Sequence, residues 1–203
     1  MTPEEVVTLF EQSGFKLSQE QAKQFHTFLK ELKKWNRVHN LTALREDKDI
    51  VVRHFIDSLS LTACFEELGI DWRGRSIADV GTGAGFPGVP LKIYLRNFNL
   101  FLIESVSKKC SFLEVLKVKL GLKWNVLCKR AEEVEQRFDI VLARAMGEFE
   151  QVHSILEKLS SRYVLVMKGV YIKEEWVDKL GYEAIELKRS KLPPSKVLWK
   201  RVK

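Results

Sequence analysis

The stretch Ile77-Ala78-Asp79-Val80-Gly81-Thr82-Gly83-Ala84-Gly85-Phe86-Pro87-Gly88 decides how this chain folds. It opens as an apolar run of strand length that carries an acid near its end, and glycines follow at 81, 83, 85 and 88. A glycine-rich turn after a strand is where a βα crossover binds a nucleotide, at the carboxyl end of the first sheet strand. Glycine lets the backbone turn sharply and brings a ligand against the main chain, where a Cβ would stand in the way. The spacing is acid-x-G-x-G-x-G. A dinucleotide loop, G-x-G-x-x-G, would place its third glycine at position 86, and that residue is Phe86. No G-K-[ST] closes the run, so it is not a P-loop. A turn that is glycine-rich for conformational reasons alone stays open at this point.

Working outward, the rest of the chain agrees with a βα unit. Short apolar runs at 76–80, 99–104, 126–128, 139–143 and 163–168 alternate with helical patterns at about 89–95, 107–120, 149–159 and 173–180. Near-continuous apolar strands alternating with helices predict a parallel sheet covered on both faces. The tail differs. Segments 182–188 and 196–202 read as strands joined only by Arg189-Ser190-Lys191-Leu192-Pro193-Pro194, too short for a crossover helix, so that pair is expected to be antiparallel.

Before Gly69 the pattern is helical. Thr2-Pro3-Glu4-Glu5 combines an N-cap, a first-turn proline and acids at the positive end of the dipole. Ser18-Gln19-Glu20-Gln21 resembles a capping box, and Ala22, Phe25, Phe28 or Leu29, Leu32 and Trp35 follow at helical spacing. A further amphipathic stretch at about 47–68 carries Ile50, Phe55, Leu59, Leu61 and Phe65. These aromatics read as core. The only linker candidate lies at 69–74, which divides the chain into an N-terminal helical subdomain, 1–72, and a sheet domain, 73–203.

Charge is distributed unevenly. Residues 1–72 hold nine Lys/Arg against twelve Asp/Glu, a net of −3, and residues 73–203 hold twenty-five against fifteen, a net of +10. From Lys188 to Lys203 there are seven basic residues and no acid. A concentrated positive field favours a polyanionic partner, although a solvated basic face has the same composition. No apolar stretch reaches the length of a membrane span. The start, MTPEEVV, is acidic where a secretory signal is basic. Cys64, Cys110 and Cys128 are widely spaced and odd in number; they give no simple disulfide framework and no C-x-x-C knuckle, and so imply core or surface thiols in a reducing cytoplasm. His26, His39, His54 and His153 show no paired ligand spacing, and no metal is expected.

The acid-x-G-x-G-x-G form is typical of S-adenosylmethionine-dependent methyltransferases, and a parallel α/β sheet ending in an antiparallel hairpin is the outline of their class I fold. Glu104, about twenty residues past the loop and at a strand end, is placed to accept both hydrogen bonds of a ribose diol; its alternative is a strand-end acid paired with Lys108 or Lys109. No [ND]-P-P-[YFW] follows the fourth strand, which argues against exocyclic amines as acceptors. No Pro-Cys or Thr-Cys supplies a nucleophile for pyrimidine C5 chemistry. Gly-x-Ser-x-Gly is also absent.

Several motifs in order resemble one family over nearly the whole chain, the ribosomal RNA small-subunit methyltransferase G family, also called glucose-inhibited division protein B. They are Trp35-Asn36-Arg37-Val38-His39-Asn40-Leu41-Thr42, Arg53-His54-Phe55-Ile56-Asp57-Ser58-Leu59, the glycine loop, Arg130-Ala131-Glu132-Glu133, Ala143-Arg144-Ala145 and Met167-Lys168-Gly169. The resemblance implies methyl transfer from S-adenosylmethionine to N7 of a guanine in the decoding-region loop of 16S rRNA. It implies the small ribosomal subunit or its RNA as partner; a monomer is expected separately. It further implies that Gly81, Phe86, Ala131, Glu132 and Arg144 contact the cofactor, to which the loop adds Asp79, Gly83 and Glu104.

On the substrate side Asn40 and Thr42 are candidates, though Asn-Leu-Thr also makes a turn and a helix cap. Arg53 and His54 are read either as pointing at the site mouth or as a satisfied structural pair, with Asp57 placed to hold either of them at helical spacing. Lys168, at a strand end, is expected near substrate phosphate. Two rival readings remain: a methyltransferase for a small molecule or protein, marked by a lid over an apolar pocket, and a non-catalytic cofactor-sensing module, marked by absence of methyl transfer.

Overall fold

The computed structural model describes residues 1–144, 148–169, 171–187 and 195–202. Helix α1 (Pro3–Gln12) starts as its sequence dictates: Glu5 N donates to Thr2 Oγ1 at 3.2 Å and Thr2 N donates to the Glu5 carboxylate at 2.7 Å. The same reciprocal cap, Ser18 with Gln21, opens α2 (Gln19–His39), whose core face carries Phe25, Phe28, Leu29 and Leu32. Capping boxes satisfy donors that the first turn otherwise leaves unpaired.

The stretch expected as one amphipathic helix is broken. It forms α3 (Asp47–Ile50), a π-helical segment (Val51–Ile56), α4 (Asp57–Leu59) and α5 (Leu61–Glu67). Ile50, Val51, Phe55, Ile56 and Leu59 are all buried, a broader apolar face than one stripe at 3.6 residues per turn presents. The wider π turn accommodates them.

Then the sheet begins: β1 (Ser76–Val80), α6 (Gly88–Leu95), β2 (Asn99–Ile103), α7 (Ser107–Leu120), β3 (Asn125–Leu127), β4 (Phe138–Arg144), α8 (Phe149–Leu159), β5 (Ser160–Lys168), α9 (Glu174–Asp178), β6 (Glu183–Leu187) and β7 (Ser195–Arg201). Among the described residues the seven strands run in the order β3-β2-β1-β4-β5-β7-β6. The first five are parallel, and β7 pairs antiparallel with both β5 and β6. The connection 189–194 lies outside the described residues. Strand order reverses between β1 and β4, which puts the ends of these two strands at the switch point where open α/β sheets bind ligands.

Alternate strand residues serve two cores, as a period of two requires. Ile77, Leu102, Ile140 and Leu165 join one cluster with α1, α2, α6 and α7; Ala78, Val141, Val164 and Leu198 join another with Phe149, Leu156 and Trp176. Residues 1–72 and one sheet face thus share a core, seamed by the Phe28 ring stacked on Phe86 at 5.3 Å. No helix among the described residues is long and apolar enough to cross a membrane.

The cysteines correct an expectation. Cys110, in the first turn of α7, and Cys128, just past β3, form a disulfide with Cα atoms 5.8 Å apart; Cys64 is buried in the core. The parallel β2–α7–β3 unit brings the two together across eighteen residues, and nothing local in the sequence announces that pairing. The bond removes the cysteine-based argument for a reducing compartment.

Candidate active site

Asp79 lies near the end of β1, wholly buried under the loop it organises. Its Oδ2 accepts from Thr82 Oγ1 at 2.6 Å and from Gly88 N at 2.7 Å. A Cβ on Gly88 would lie 2.9 Å from that same oxygen, so the close approach requires glycine. Burial pushes the Asp79 carboxyl up to about 7, against the pull of those two hydrogen bonds. This acid holds the loop from beneath.

Gly83 adopts φ +60°, and a Cβ built there meets nothing within 4 Å. Its N–H donates to Glu104 Oε2 at 3.0 Å, while Glu104 Oε1 accepts from Val106 N at 2.9 Å. Glu104 is the first residue beyond β2 and is 6% exposed. Its pairing with Lys109 exists but is long, 3.9 Å. Beside it, Leu127 O accepts from Glu104 N, and the chain leaving β3 forms a 3-10 turn (Ala131–Glu133) with Ala131 half-buried and Glu132 exposed. The glycine loop, Glu104 and this turn therefore share the carboxyl edge of the sheet.

On the other side of the loop Phe86 forms a floor. The His54 ring stacks on it at 4.6 Å, and the Arg144 guanidinium stands 5.7 Å from its centre. Arg144 ends β4, reaches the His54 Nδ1 atom through Nη2 at 2.5 Å, and approaches Asp57 Oδ2 through Nη1 at 3.5 Å. Asp57 thus serves a residue eighty-seven positions away as well as Arg53, whose charge also acts on it at helical spacing. Ala145, after Arg144 in the motif, lies outside the described residues.

Proton placement follows from donor counting. A guanidinium has no acceptor, so His54 Nδ1 must accept and the imidazole is neutral, with its proton on Nε2. Burial and the Arg144 charge push its pKa down to about 4, in agreement. Nε2–H then donates to Thr42 Oγ1 at 2.7 Å, and that oxygen also accepts from Leu44 N at 3.2 Å. Thr42 therefore keeps a hydroxyl proton to donate. Burial raises the Asp57 carboxyl and lowers the Arg144 guanidinium, while each opposes the other's shift by its opposite charge.

Two substrate-side candidates sit elsewhere. Asn40 is the left-handed C-cap of α2 (φ 47°), exposed, with Oδ1 accepting from Arg45 Nη2 at 3.4 Å. Its turn role is the one realised. Lys168 ends β5 on the sheet face opposite Arg144, its ammonium 4.9 Å from the Trp176 ring and 5.2 Å from that of Phe149; burial lowers its pKa. The structure does not bring it to His54 and Arg144. Asn36, by contrast, fixes the approach of Thr42: buried in α2, its Oδ1 accepts from Thr42 N at 2.9 Å. A buried asparagine near a helix end was the signal for it. No three His, Cys, Asp or Glu side chains gather as a metal-ligand set among the described residues.

The sheet order, the glycine loop and the acid beyond β2 define a class I S-adenosylmethionine-dependent methyltransferase. A solved structure of magnesium protoporphyrin IX methyltransferase from Synechocystis PCC 6803 with bound SAM is similar in fold, with a TM-score of 0.63 at 14% identity, covering 92% of this chain and 98% of that one. The family model for rRNA small subunit methyltransferase G matches residues 21–195, and the chain belongs to that family. It is 59% identical to the ribosomal RNA small subunit methyltransferase G of Aquifex aeolicus (strain VF5), over 96% of this chain and 98% of that protein. Identity to the protein of the same name from Listeria welshimeri is 34%, over 92% of this chain and 80% of that protein.

Proposed function

We propose that this enzyme transfers the methyl group of S-adenosylmethionine to N7 of a guanine in the decoding-region loop of 16S rRNA, acting on the small ribosomal subunit or its RNA as a cytoplasmic monomer. The cofactor's amino-acid end would lie over Gly81 and Gly83. Its ribose would meet Glu104, whose two oxygens each accept one backbone hydrogen bond and retain acceptor capacity. Ala131 and Glu132 would border the adenine. When bound, the cofactor supplies an electrophilic methyl on a sulfonium.

The observation that carries the acceptor is that, among the described residues, neither His54 nor an acid beside it is placed to take a proton. His54 has its Nδ1 lone pair engaged by Arg144 and is too acidic as an imidazolium to draw protons at neutral pH. Asp57 faces the same guanidinium, and Asp79 is sealed beneath the loop. An amine or ribose hydroxyl acceptor would need to lose a proton during transfer. Guanine N7 offers a free lone pair and needs only alignment with the methyl, which in well-oriented intramolecular reactions is worth roughly 7–11 kcal/mol.

This reading gives a pH prediction. His54 stays neutral well above about 4, so it puts no step into the single-turnover methylation rate from about pH 6 to 9; the rate is measured at saturating cofactor, because Asp79, at about 7 beneath the loop, titrates in that window. Because the folded-state pKa of His54 is depressed, its linked stability is present above the unfolded value of about 6.5 and is lost as pH falls toward 4. Rapid-quench measurements with subunit binding checked at each pH test this. A log-linear rise with pH that disappears in His54→Leu would identify a protein base and overturn the N7 assignment.

A further inference from the structure

Helix α2 carries five cations, Lys23, Lys30, Lys33, Lys34 and Arg37. At 3.6 residues per turn all five fall within about 100° of arc on the side away from the core, and the acids Glu20 and Glu31 fall outside it. Lys33 pairs with Asp47. Lys30, Lys34 and Arg37 are exposed and have no ion pair among the described residues, and with Lys33 they line a groove of about 340 Å³. Such clustering is self-repelling, and it stands in the part of the chain whose net charge is −3.

Dipole compensation does not account for it, because that effect is confined to the last turn of a helix and Lys30 lies well before it. The line of charge also has a direction. Arg45 continues it, donating to Asn36 O at 3.5 Å and to Asn40 Oδ1 at 3.4 Å in the turn that delivers Thr42 to His54. Arg53, exposed beside His54, carries it to the site. The C-terminal basic run is a weaker rival: Lys200 is tied to Glu157 at 2.9 Å and to Leu180 O at 2.8 Å, and residues 188–194 lie outside the described residues.

We propose that this face of α2, from Lys30 through Lys34 and Arg37 to Arg45 and Arg53, is the track on which the phosphate backbone of the RNA acceptor lies. The inference rests on the reading of the acceptor as RNA. Phosphates held there place a following nucleotide at the Thr42 turn, against the Arg144–His54–Phe86 wall. The catalytic chemistry is untouched by the track, which supplies affinity and register only.

The test is the triple variant Lys30→Gln, Lys34→Gln, Arg37→Gln, which keeps good helix formers at exposed positions. Binding of small subunits and of free 16S rRNA is measured from about 50 to 300 mM salt, with cofactor affinity by calorimetry and adsorption to anionic phosphatidylglycerol vesicles alongside. The expected result is a salt slope shallower by roughly two to three, since each lost phosphate contact removes about 0.7–0.9. KM for subunits should rise at least about tenfold at moderate salt, with cofactor affinity and turnover at saturation unchanged. Lys34→Glu alone should raise KM more than Lys34→Gln. A wild-type slope and KM in the triple variant would overturn the track while leaving the enzymatic reading intact. Loss of vesicle adsorption with an unaltered RNA slope would overturn it in favour of a lipid surface. Wild-type protein that binds RNA with a steep slope but yields no methylated product would defeat the enzymatic reading, with the track still judged on the slope.

Discussion

Gly83→Val is expected to abolish measurable binding of S-adenosylmethionine, a loss on the order of 100-fold or more in affinity, while the protein keeps a cooperative thermal transition. The effect has two parts. At φ +60° any side chain bears the left-handed penalty of roughly 1–2 kcal/mol, and a β-branched one sits worst there. A Cβ meets no protein atom within 4 Å, so valine does not collide with the core but projects into the space before the loop. Folding loses a little and the ligand loses its seat. Gly83→Ala separates the parts, since it shares the backbone penalty with a smaller projection and should retain weak binding. Calorimetry beside a melting curve is the measurement; unchanged affinity in the valine variant would remove the loop from the cofactor site.

Arg144→Lys is expected to lower turnover on the order of 100-fold with a much smaller change in cofactor affinity, because misplacement by about an ångström at a reacting centre has that effect. The guanidinium is held by three neighbours at once: His54 Nδ1 at 2.5 Å, Asp57 Oδ2 at 3.5 Å and the Phe86 ring at 5.7 Å. Lysine keeps the charge but loses the planar fork that reaches both His54 and Asp57. Methyl transfer moves positive charge from sulfur to the purine, so a nearby cation does not stabilise the product's charge; its part is to orient. A companion pair checks the proton placement. His54→Asn, whose carbonyl oxygen can replace Nδ1 as acceptor, should retain more activity than His54→Leu. Equal loss in both variants would mean that the hydrogen bond to Arg144 does not matter to turnover.

Much of this fold was legible because its signals are local. Apolar runs, capping residues and the glycine loop placed β1, α7 and α8 within their observed limits, and a hairpin too short for a crossover fixed the antiparallel tail. What escaped depends on contacts between distant segments. The Cys110–Cys128 bond and the Asp57–Arg144 pair are made by packing, with no pattern in the intervening residues to betray them. The π-helical turn at Val51–Ile56 left no distinct trace, because Val51 to Phe55 is an ordinary four-residue step and apolar residues surround it on both sides. At the site, the loop and Glu104 were readable from position along a βα unit. Asn40 and Lys168 were ambiguous from the start: residues that suit a turn or a strand end also suit a substrate, and only tertiary placement separates the two.

The central claim is tested most directly by incubating the purified enzyme with small ribosomal subunits and methyl-labelled S-adenosylmethionine, then mapping the labelled nucleotide by mass spectrometry of RNA fragments. The account predicts one labelled 7-methylguanosine, in the decoding-region loop of 16S rRNA, absent when Gly83→Val replaces the wild-type enzyme. Label on an exocyclic amine, a ribose or a protein, or no transfer at all, would contradict it.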